Sequence, residues 1–148
     1  MGQKVVAEAQ KQLDANEIRL SVRSPQKASQ YAAAGIDVRA ADYLDIDSMV
    51  EAWSGTDVLI YIPSISHPSI VRVPEFENSV IAAEKFGIKH FIFVGLFVDQ
   101  VDRLFHMGNV KINFISWEES VAAIIKLAMS PVLHGKIYIL TQGRNYTC

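Results

Sequence analysis

Two cationic side chains stand where a predicted strand gives way to a predicted helix. Arg23 directly follows the strand candidate Glu17–Val22, and Lys27 lies one helical turn further on. In a dinucleotide-binding fold, the residue at this carboxyl end meets the adenosine ribose. An acidic residue there would bind the ribose hydroxyls of NAD, whereas the planar, permanently charged guanidinium of an arginine suits the 2′-phosphate of NADP. The alternative is a solvated arginine and lysine at a helix start, which is common.

Other polar residues also follow predicted strands. Asp42 comes just after the strand candidate Ile36–Ala40, where it could accept a hydrogen bond from an adenine amino group or serve as a turn residue or cap. Ser64 and His67 follow the next strand, and a serine with a histidine at a sheet edge suggests nucleophilic catalysis. However, no G-x-S-x-G elbow surrounds Ser64 and no orienting carboxylate can be placed, so Pro63 and its neighbours are better explained as a rigid loop.

The sequence lacks the short motifs that most directly indicate a nucleotide site. It contains no G-x-G-x-x-G, no G-x-x-G-x-x-G and no P-loop motif, so no backbone cradle for phosphates can be assigned. No tyrosine has a lysine four residues later, which removes a common arrangement for proton transfer. The histidines have no ligand spacing with an acid, and the one cysteine, Cys148, has no partner, so neither a metal site nor a disulfide is expected.

Composition excludes several classes of function. The 148 residues carry a net charge of −2 and no basic stripe, which gives no electrostatic case for nucleic acid as a partner. No apolar run approaches about 18 residues, so no membrane-spanning helix is expected, and the first ten residues contain no apolar signal core. A single cysteine fits a reducing, cytoplasmic setting. The length favours one domain that covers residues 1–148.

The elements that would position these residues are organised around Asp57–Gly95. Val58–Tyr61 and His90–Val94 are short apolar runs typical of buried strands, and between them Pro74 opens a helical pattern that Gly87 closes. A strand, a helix and a second strand form a βαβ unit, whose strands must lie parallel. Ligands of such sheets bind beyond the carboxyl ends of the strands, so the loops after these two strands are the first place to seek a site.

The rest of the chain continues the alternation of helix and strand. Helices are predicted at 3–13, 26–34, 48–53 and after Ser116, and strands at 17–22, 36–40, 111–115 and 136–141. Ser116 and Glu119 form a capping box before the last helix, while Trp53 and Trp117 lie in helical patterns and are predicted to be packing residues. Elements of this order and length are typical of an α/β fold with a doubly wound parallel sheet.

Four short patterns occur in order between Ile18 and Gln100: V-R-S-P-x-K, A-D-Y-x-D, I-P-S and F-V-G. Together with the stretch 111–143, they resemble the NmrA-like atypical short-chain dehydrogenase/reductases. The resemblance is strongest to the branch of NAD(P)H-dependent quinone oxidoreductases and proteins labelled sugar-nucleotide epimerases. It implies a Rossmann-like fold with NADP (NADPH) as the cofactor and a small-molecule substrate.

The resemblance also assigns residues to the cofactor. Arg23 resembles the family's arginine for the NADP 2′-phosphate, which Lys27 could support, and Asp42 is similar to its adenine-side residue. The other implied contacts lie in two loops, one beside the adenine ribose and pyrophosphate and one under the nicotinamide ribose: Pro63, Ser64, Gly95 and Leu96.

The chain also departs from the family pattern. Relatives begin with a strand and a glycine-rich T-G-A-T-G-x-x-G turn, of which Gly2 resembles the last glycine. A segment between about Val101 and Asn109 and a C-terminal substrate lobe also have no counterpart. A shortened chain is therefore expected, incomplete at the first strand of its sheet. Because the strands on either side would carry unpaired edges, they would close up, pair with another chain or leave the domain unstable.

Three functions stay open at the level of sequence. The first is an NAD(P)H-dependent oxidoreductase that reduces a quinone or a similar carbonyl. The second is a non-catalytic NADP-responsive sensor, and the third is an inactive fragment that self-associates through strand edges. With most of the glycine-rich turn missing, weak or absent NADPH binding is expected.

Overall fold

The structure is a computed structural model that describes residues 1–64, 68–95, 111–113, 116–132 and 145–147. Its helices are α1 (Gly2–Ala9), α2 (Ser29–Ala33), α3 (Ile46–Ala52), α4 (Ser69–Phe86) and α5 (Trp117–Met129). Its strands are β1 (Arg19–Val22), β2 (Asp37–Ala40), β3 (Val58–Tyr61), β4 (His90–Phe93), β5 (Lys111–Asn113) and β6 (Asn145–Thr147). Short 3₁₀ turns lie on either side of β1, at Ala15–Glu17 and Pro25–Ala28. Within these described ranges, no helix has the length and apolar character needed to cross a membrane.

The strands form parallel pairs around the predicted βαβ unit. β3 pairs with β4 in parallel, with Val58 opposite His90, and α4 connects them. β1 pairs with β2 in the same way, with Arg19 opposite Asp37. β5 and β6 form a separate antiparallel pair. The parallel arrangement predicted for the stretch 57–95 is therefore confirmed.

Two apolar cores cover the two faces of the parallel strands. On one face, α1 and α5 bury Val5, Val6, Val121 and Ile125 against strand residues that include Leu20 and Ile60, and we call this the α1/α5 core. On the other face, α3 and α4 bury residues that include Met49, Trp53 and Ala82 against Leu59 and Phe91, and we call this the α3/α4 core. Since neighbouring β3 residues enter opposite cores, the strands are covered on both faces, as in a doubly wound α/β fold.

The two parallel pairs share a core without sharing a hydrogen-bonded ladder. In the described part of the chain, β1 pairs only with β2, and β3 pairs only with β4. Leu20 of β1 and Ile60 of β3 nevertheless pack against the same α1/α5 core. One alternative expected from the sequence was that β1 and β3 close up against each other. The described residues do not show this pairing.

Local signals fix several element ends where they were expected. Asp45 caps α3, since its carboxylate accepts hydrogen bonds from the backbone N–H groups of Asp47 (3.1 Å) and Ser48 (3.2 Å). Ser116 caps α5, since its Oγ accepts a hydrogen bond from the N–H of Glu119 (3.2 Å), and this confirms the predicted N-cap of the helix. Gly87 ends α4 with a φ of 79°, a left-handed conformation that favours glycine.

The start of α4 corrects the prediction made from Pro74. The helix begins at Ser69, after Pro68 as N-cap, and runs through Pro74. A proline in the second turn removes the hydrogen bond to the carbonyl of Ile70 and crowds that carbonyl. Ile70 is 80% exposed, so water can reach this part of the helix and replace the lost bond. The helix has 18 residues, which is about five turns and not the predicted three.

The position of Trp117 differs from the prediction that both tryptophans pack in the core. Trp53 is buried as predicted, at 2% exposure, but Trp117 is 53% exposed. It is the first residue of α5, and its ring lies under Lys4, whose Nζ is 5.9 Å from the ring centroid. The same lysine forms an ion pair with Glu118 (3.0 Å), so this corner is a charged surface contact between α1 and α5.

The carboxyl-terminal region was predicted only in part. The backbone at 145–147 forms β6 opposite β5, although no strand was predicted there. A three-residue strand with one partner carries too little apolar pattern to be recognised from sequence. The predicted strand at 136–141 and the segment 96–110 lie outside the described residues.

Candidate functional site

The candidate residues follow the carboxyl ends of the parallel strands. β1 ends at Val22, β2 at Ala40, β3 at Tyr61 and β4 at Phe93. The candidates lie one to three residues further along: Arg23 after β1, Asp42 after β2, Pro63 and Ser64 after β3, and Gly95 after β4. Because the strands of each pair are parallel, Arg23 and Asp42 share one edge, and Ser64 and Gly95 share one edge.

Arg23 and Lys27 are both exposed on the link between β1 and α2. Lys27 lies in the 3₁₀ turn Pro25–Ala28, and its backbone N–H donates to the carbonyl of Ser24 (3.0 Å). Ser24 is the N-cap of this turn but makes no side-chain capping bond. Two accessible cations next to a strand end suit a phosphate group, although exposed cations at a turn are also common on any surface.

Asp42 forms a turn that fixes the direction of its own side chain. Its carboxylate Oδ1 accepts a hydrogen bond from the backbone N–H of Leu44 (2.9 Å), and its backbone N–H donates to Oγ of Ser48 (3.0 Å). The turn role considered from the sequence is therefore present. In the described residues, the second oxygen, Oδ2, makes no hydrogen bond, so a ligand donor could still reach it.

Tyr43 links the Asp42 turn to the loop after β3. Its hydroxyl donates to the carbonyl of Ile62 (3.3 Å), the residue before Pro63. Its own carbonyl accepts a hydrogen bond from Nδ2 of Asn78 in α4 (3.1 Å). Burial, followed by the nearby Tyr61 and Glu75, raises the pKa of Tyr43 above its ordinary value, so the hydroxyl is a donor at neutral pH. Sequence reasoning missed Tyr43 and Asn78, although Tyr43 lies inside the A-D-Y-x-D pattern.

Gly95 lies against the ring of Phe93. A Cβ built on Gly95 would meet three atoms of this ring, with Cζ at 3.1 Å and Cδ1 at 3.2 Å. The ring is 51% exposed and packs on Phe76, with centroids 4.9 Å apart, and on Tyr61, with centroids 5.9 Å apart. A side chain at position 95 would therefore have to displace an aromatic ring at the carboxyl end of β4. Leu96 lies outside the described residues.

The first turn of α1 has features that suit an anionic ligand. Met1 is the N-cap without a side-chain capping bond, and the first turn contains no acidic residue. A Cβ on Gly2 would meet nothing within 4 Å. The first N–H groups of a helix have no intrahelical partner and suit a phosphate. Together with the cations near β1, these features are compatible with a dinucleotide phosphate and ribose, although one glycine is a small part of a phosphate-binding turn.

Metal binding and nucleophilic catalysis find less support among the described residues. They contain no group of three or more His, Cys, Asp or Glu residues that could hold a metal ion. Ser64 is half-buried in the loop after β3, and His67 lies outside the described residues. The described residues therefore do not test catalysis by these two side chains, which the sequence already disfavours.

Comparison with known proteins also indicates a dinucleotide-binding fold. The model of the NAD(P)H-binding family matches residues 1–126. The chain is 34% identical over 96 residues to Quinone oxidoreductase 2 of Escherichia coli (strain K12). That match covers 65% of this chain and 33% of the other protein, so the chain matches about a third of the length of this relative.

Solved structures share the fold over almost the whole chain. An Escherichia coli NADPH-dependent quinone oxidoreductase, solved in complex with NADPH, has a TM-score of 0.86 at 22% identity and covers 99% of this chain and 67% of its own. A triphenylmethane reductase of Citrobacter sp., complexed with NADP(H), has a TM-score of 0.86 at 21% identity, with 99% and 68% covered. A nucleoside-diphosphate-sugar epimerase of Staphylococcus aureus has a TM-score of 0.78 at 27% identity, again with 99% and 68% covered.

The TM-scores show that these proteins share the fold of this chain. The predicted Rossmann-like fold and the predicted relationship are both confirmed. The chain belongs to the NAD(P)H-binding family, in its NmrA-like branch, and is related to the NADPH-dependent quinone oxidoreductases.

Proposed function

We propose that residues 1–148 form one Rossmann-type domain that takes NADP(H) at the carboxyl edge of its parallel strands. The observation that supports this most is the position of the candidate residues directly after four successive strands. In this proposal, Arg23 and Lys27 bind the 2′-phosphate and Asp42 faces the adenine. Two loops contact the remainder of the cofactor, through Pro63, Ser64, Gly95 and Leu96.

The proposed reaction class is reduction of a quinone or a similar carbonyl compound. It rests on the relationship of the chain to the quinone oxidoreductases. The match to Quinone oxidoreductase 2 covers about a third of that relative's length. A bound nicotinamide would supply the hydride, and the protein would position the two reactants and exclude water. The open edge beside Gly95, with the half-exposed ring of Phe93, suits a flat apolar substrate. A reducing, cytoplasmic location fits the single cysteine.

Binding by this 148-residue chain should be weak. Gly2 is the part of these residues that corresponds to a phosphate-binding turn, and few backbone N–H groups are available at the start of α1. We therefore expect a dissociation constant for NADPH that is weaker than micromolar. A micromolar or tighter constant, measured by titration of the purified chain, would overturn this expectation.

Thermal unfolding with and without NADPH tests the proposal. A ligand at about 100 times its dissociation constant stabilises the folded state by about 2.7 kcal/mol, which is seen as a higher Tm. The Arg23→Ala variant should weaken NADPH about tenfold to a hundredfold, since a hydrogen bond to a charged group is lost. NADH, which has no 2′-phosphate, should bind both proteins equally. Lys85→Ala removes an exposed cation from the last turn of α4 and is the matched control.

Self-association is the second candidate. It is favoured by β1 and β3, each of which has a single hydrogen-bonded partner in the described part of the chain. An edge strand with free N–H and C=O groups can pair with another molecule. The mass in solution, measured over a range of concentrations, separates this role from the first: a dimer that forms without NADPH and is unchanged by it supports self-association. Saturable NADPH binding without quinone reduction would instead support a sensor.

A further inference from the structure

Tyr43 joins three segments that surround the proposed cofactor edge. The residue lies in the turn after β2, directly after Asp42. Its hydroxyl reaches the carbonyl of Ile62 in the loop after β3 (3.3 Å), and its carbonyl is held by Nδ2 of Asn78 in α4 (3.1 Å). One side chain and one backbone group therefore connect the turn, the loop and the helix.

Aromatic packing restricts where the Tyr43 hydroxyl can lie. Its ring centroid is 4.8 Å from that of Tyr61, whose side chain is 1% exposed. Tyr61 in turn packs on Phe93, beside Gly95, with centroids 5.9 Å apart. Buried rings in a well-packed cluster keep their rotamers, because a change of rotamer would need a cavity that is not there. The row of rings thus extends from the Asp42 turn to the end of β4 beneath the candidate site.

The hydrogen bond acts on the backbone just before the proposed cofactor loop. Ile62 is followed by Pro63, whose ring fixes its own φ and restricts the conformation of the preceding residue. The direction of the Ile62 carbonyl therefore largely determines the direction in which Pro63 and Ser64 leave the strand. In this arrangement, Tyr43 sets the distance between the loop and Asp42.

We propose that Tyr43 is a positioning residue for the cofactor, which acts through Ile62 on the loop at Pro63 and Ser64. The inference rests on the proposed function, since it concerns the same edge. Tyr43 itself need not touch the ligand. Asn78 has the same role one step further away, because it fixes the backbone of Tyr43 from α4.

The Tyr43→Phe variant isolates the hydroxyl. It keeps the ring and its packing on Tyr61, and it removes the donor to Ile62. NADPH should bind about threefold to tenfold more weakly, the size expected for one neutral hydrogen bond. The preference for NADPH over NADH should stay as in the wild type, because the lost hydrogen bond acts on the loop after β3, whereas Arg23 follows β1. Far-ultraviolet circular dichroism should show that the variant is folded at the titration temperature.

Tyr31→Phe is the matched control. Tyr31 is also partly buried; it lies in α2 and packs against the α1/α5 core, and in the described part of the chain none of its hydrogen bonds reaches the loop after β3. The same atom is removed, so an equal loss of affinity in both variants would show a general effect of phenol removal and overturn the inference. Asn78→Ala should give the Tyr43→Phe defect, and the double variant should lose less than the sum of the two, as expected for residues in one network.

A second readout needs no cofactor. In ¹⁵N-labelled protein without ligand, the backbone amide resonance of Ser64 should move in Tyr43→Phe and stay in place in Tyr31→Phe. If the wild type binds NADPH and Tyr43→Phe binds it equally well, the positioning role is refuted and the proposed function survives. If the wild type binds no NADPH at millimolar concentration, the proposed function and the positioning role both fail. An unmoved Ser64 amide in Tyr43→Phe would also refute the inference.

Discussion

Asp37 joins two arginines across the first strand pair, and its removal should measurably destabilise the fold. Its Oδ2 is 2.7 Å from Nε of Arg19, which is opposite in the strand register, and 3.1 Å from Nε of Arg39. The same arginines also donate to the end of α3: Arg19 to the carbonyl of Ala52 (3.3 Å), and Arg39 to the carbonyl of Glu51 (3.2 Å). The group therefore fastens the carboxyl end of α3 to β1 and β2.

The loss of stability expected for Asp37→Asn follows from how exposed the three charged side chains are. The side chain of Asp37 is 42% exposed, while those of Arg19 and Arg39 are 23% and 35% exposed. An exposed ion pair contributes about 0.2–1 kcal/mol, so two pairs near the upper end of that range give about 1–2 kcal/mol for Asp37→Asn. The cost stays below that of an isolated buried charge, because both arginines keep their acceptors at the end of α3.

The effect should depend on pH in a defined direction. Hydrogen bonding from Arg39 lowers the pKa of Asp37 below its ordinary value of 3.8, assisted by Arg19 and opposed by desolvation. A carboxyl group with a lowered pKa in the folded state adds stability above its ordinary pKa, and this stability is lost as the pH falls through the folded pKa. The gap between wild type and Asp37→Asn should therefore be constant above about pH 5 and shrink below about pH 4.

Urea unfolding followed by circular dichroism measures the gap directly. The matched control is Asp57→Asn, since Asp57 pairs with Lys89 at 2.7 Å but the two side chains are 68% and 77% exposed. The control should change the unfolding free energy much less than Asp37→Asn does, because solvent screens this exposed pair. Equal stability of Asp37→Asn and wild type near neutral pH, or a gap that widens in acid, would refute the reasoning.

Three further substitutions test the packing and the helix ends by the same urea assay. Met49→Ala should lower the free energy of unfolding by about 2–5 kcal/mol, because Met49 is 0% exposed and its truncation leaves a cavity. Leu44→Ala is the control and should lower it far less, because Leu44 is 56% exposed. Similar losses in the two variants would contradict the α3/α4 core. Asp45→Ala should cost about 1 kcal/mol because two backbone N–H groups of α3 lose their acceptor, and Asp45→Asn should restore most of it. Gly87→Ala should cost about 1 kcal/mol at a φ of 79°, and a neutral result would argue against the left-handed end of α4.

Features set by local chemistry were predictable from the sequence. Val58–Tyr61 was predicted with both ends correct, because a short apolar run bounded by polar residues and a proline has few other conformations. The N-cap at Ser116 and the glycine at position 87 were also predictable, since each satisfies groups within its own helix. The alternation of these elements was sufficient to predict the fold class.

Contacts between distant parts of the chain were not predictable in this way. The bond from Tyr43 to Ile62 depends on the side-by-side position of two loops, and the link to Asn78 depends on the rotation of α4 about its axis. Trp117 was predicted to pack because its position suits a helix, yet the first residue of a helix can face solvent as easily as the core. Pro74 was read as a start signal because sequence alone cannot show that solvent satisfies the carbonyl a proline leaves free.

The division of the parallel strands into two pairs determines how the proposed site is held together. Arg23 and Asp42 belong to the first pair, and Ser64 and Gly95 belong to the second. In the described part of the chain no backbone ladder joins the pairs, so their relative position depends on shared packing in the α1/α5 and α3/α4 cores and on side-chain bonds such as the one from Tyr43. Apolar packing sets distances less sharply than a ladder of directional hydrogen bonds does. A dinucleotide long enough to touch both pairs would therefore have to order them, and part of its binding free energy would be used to do so.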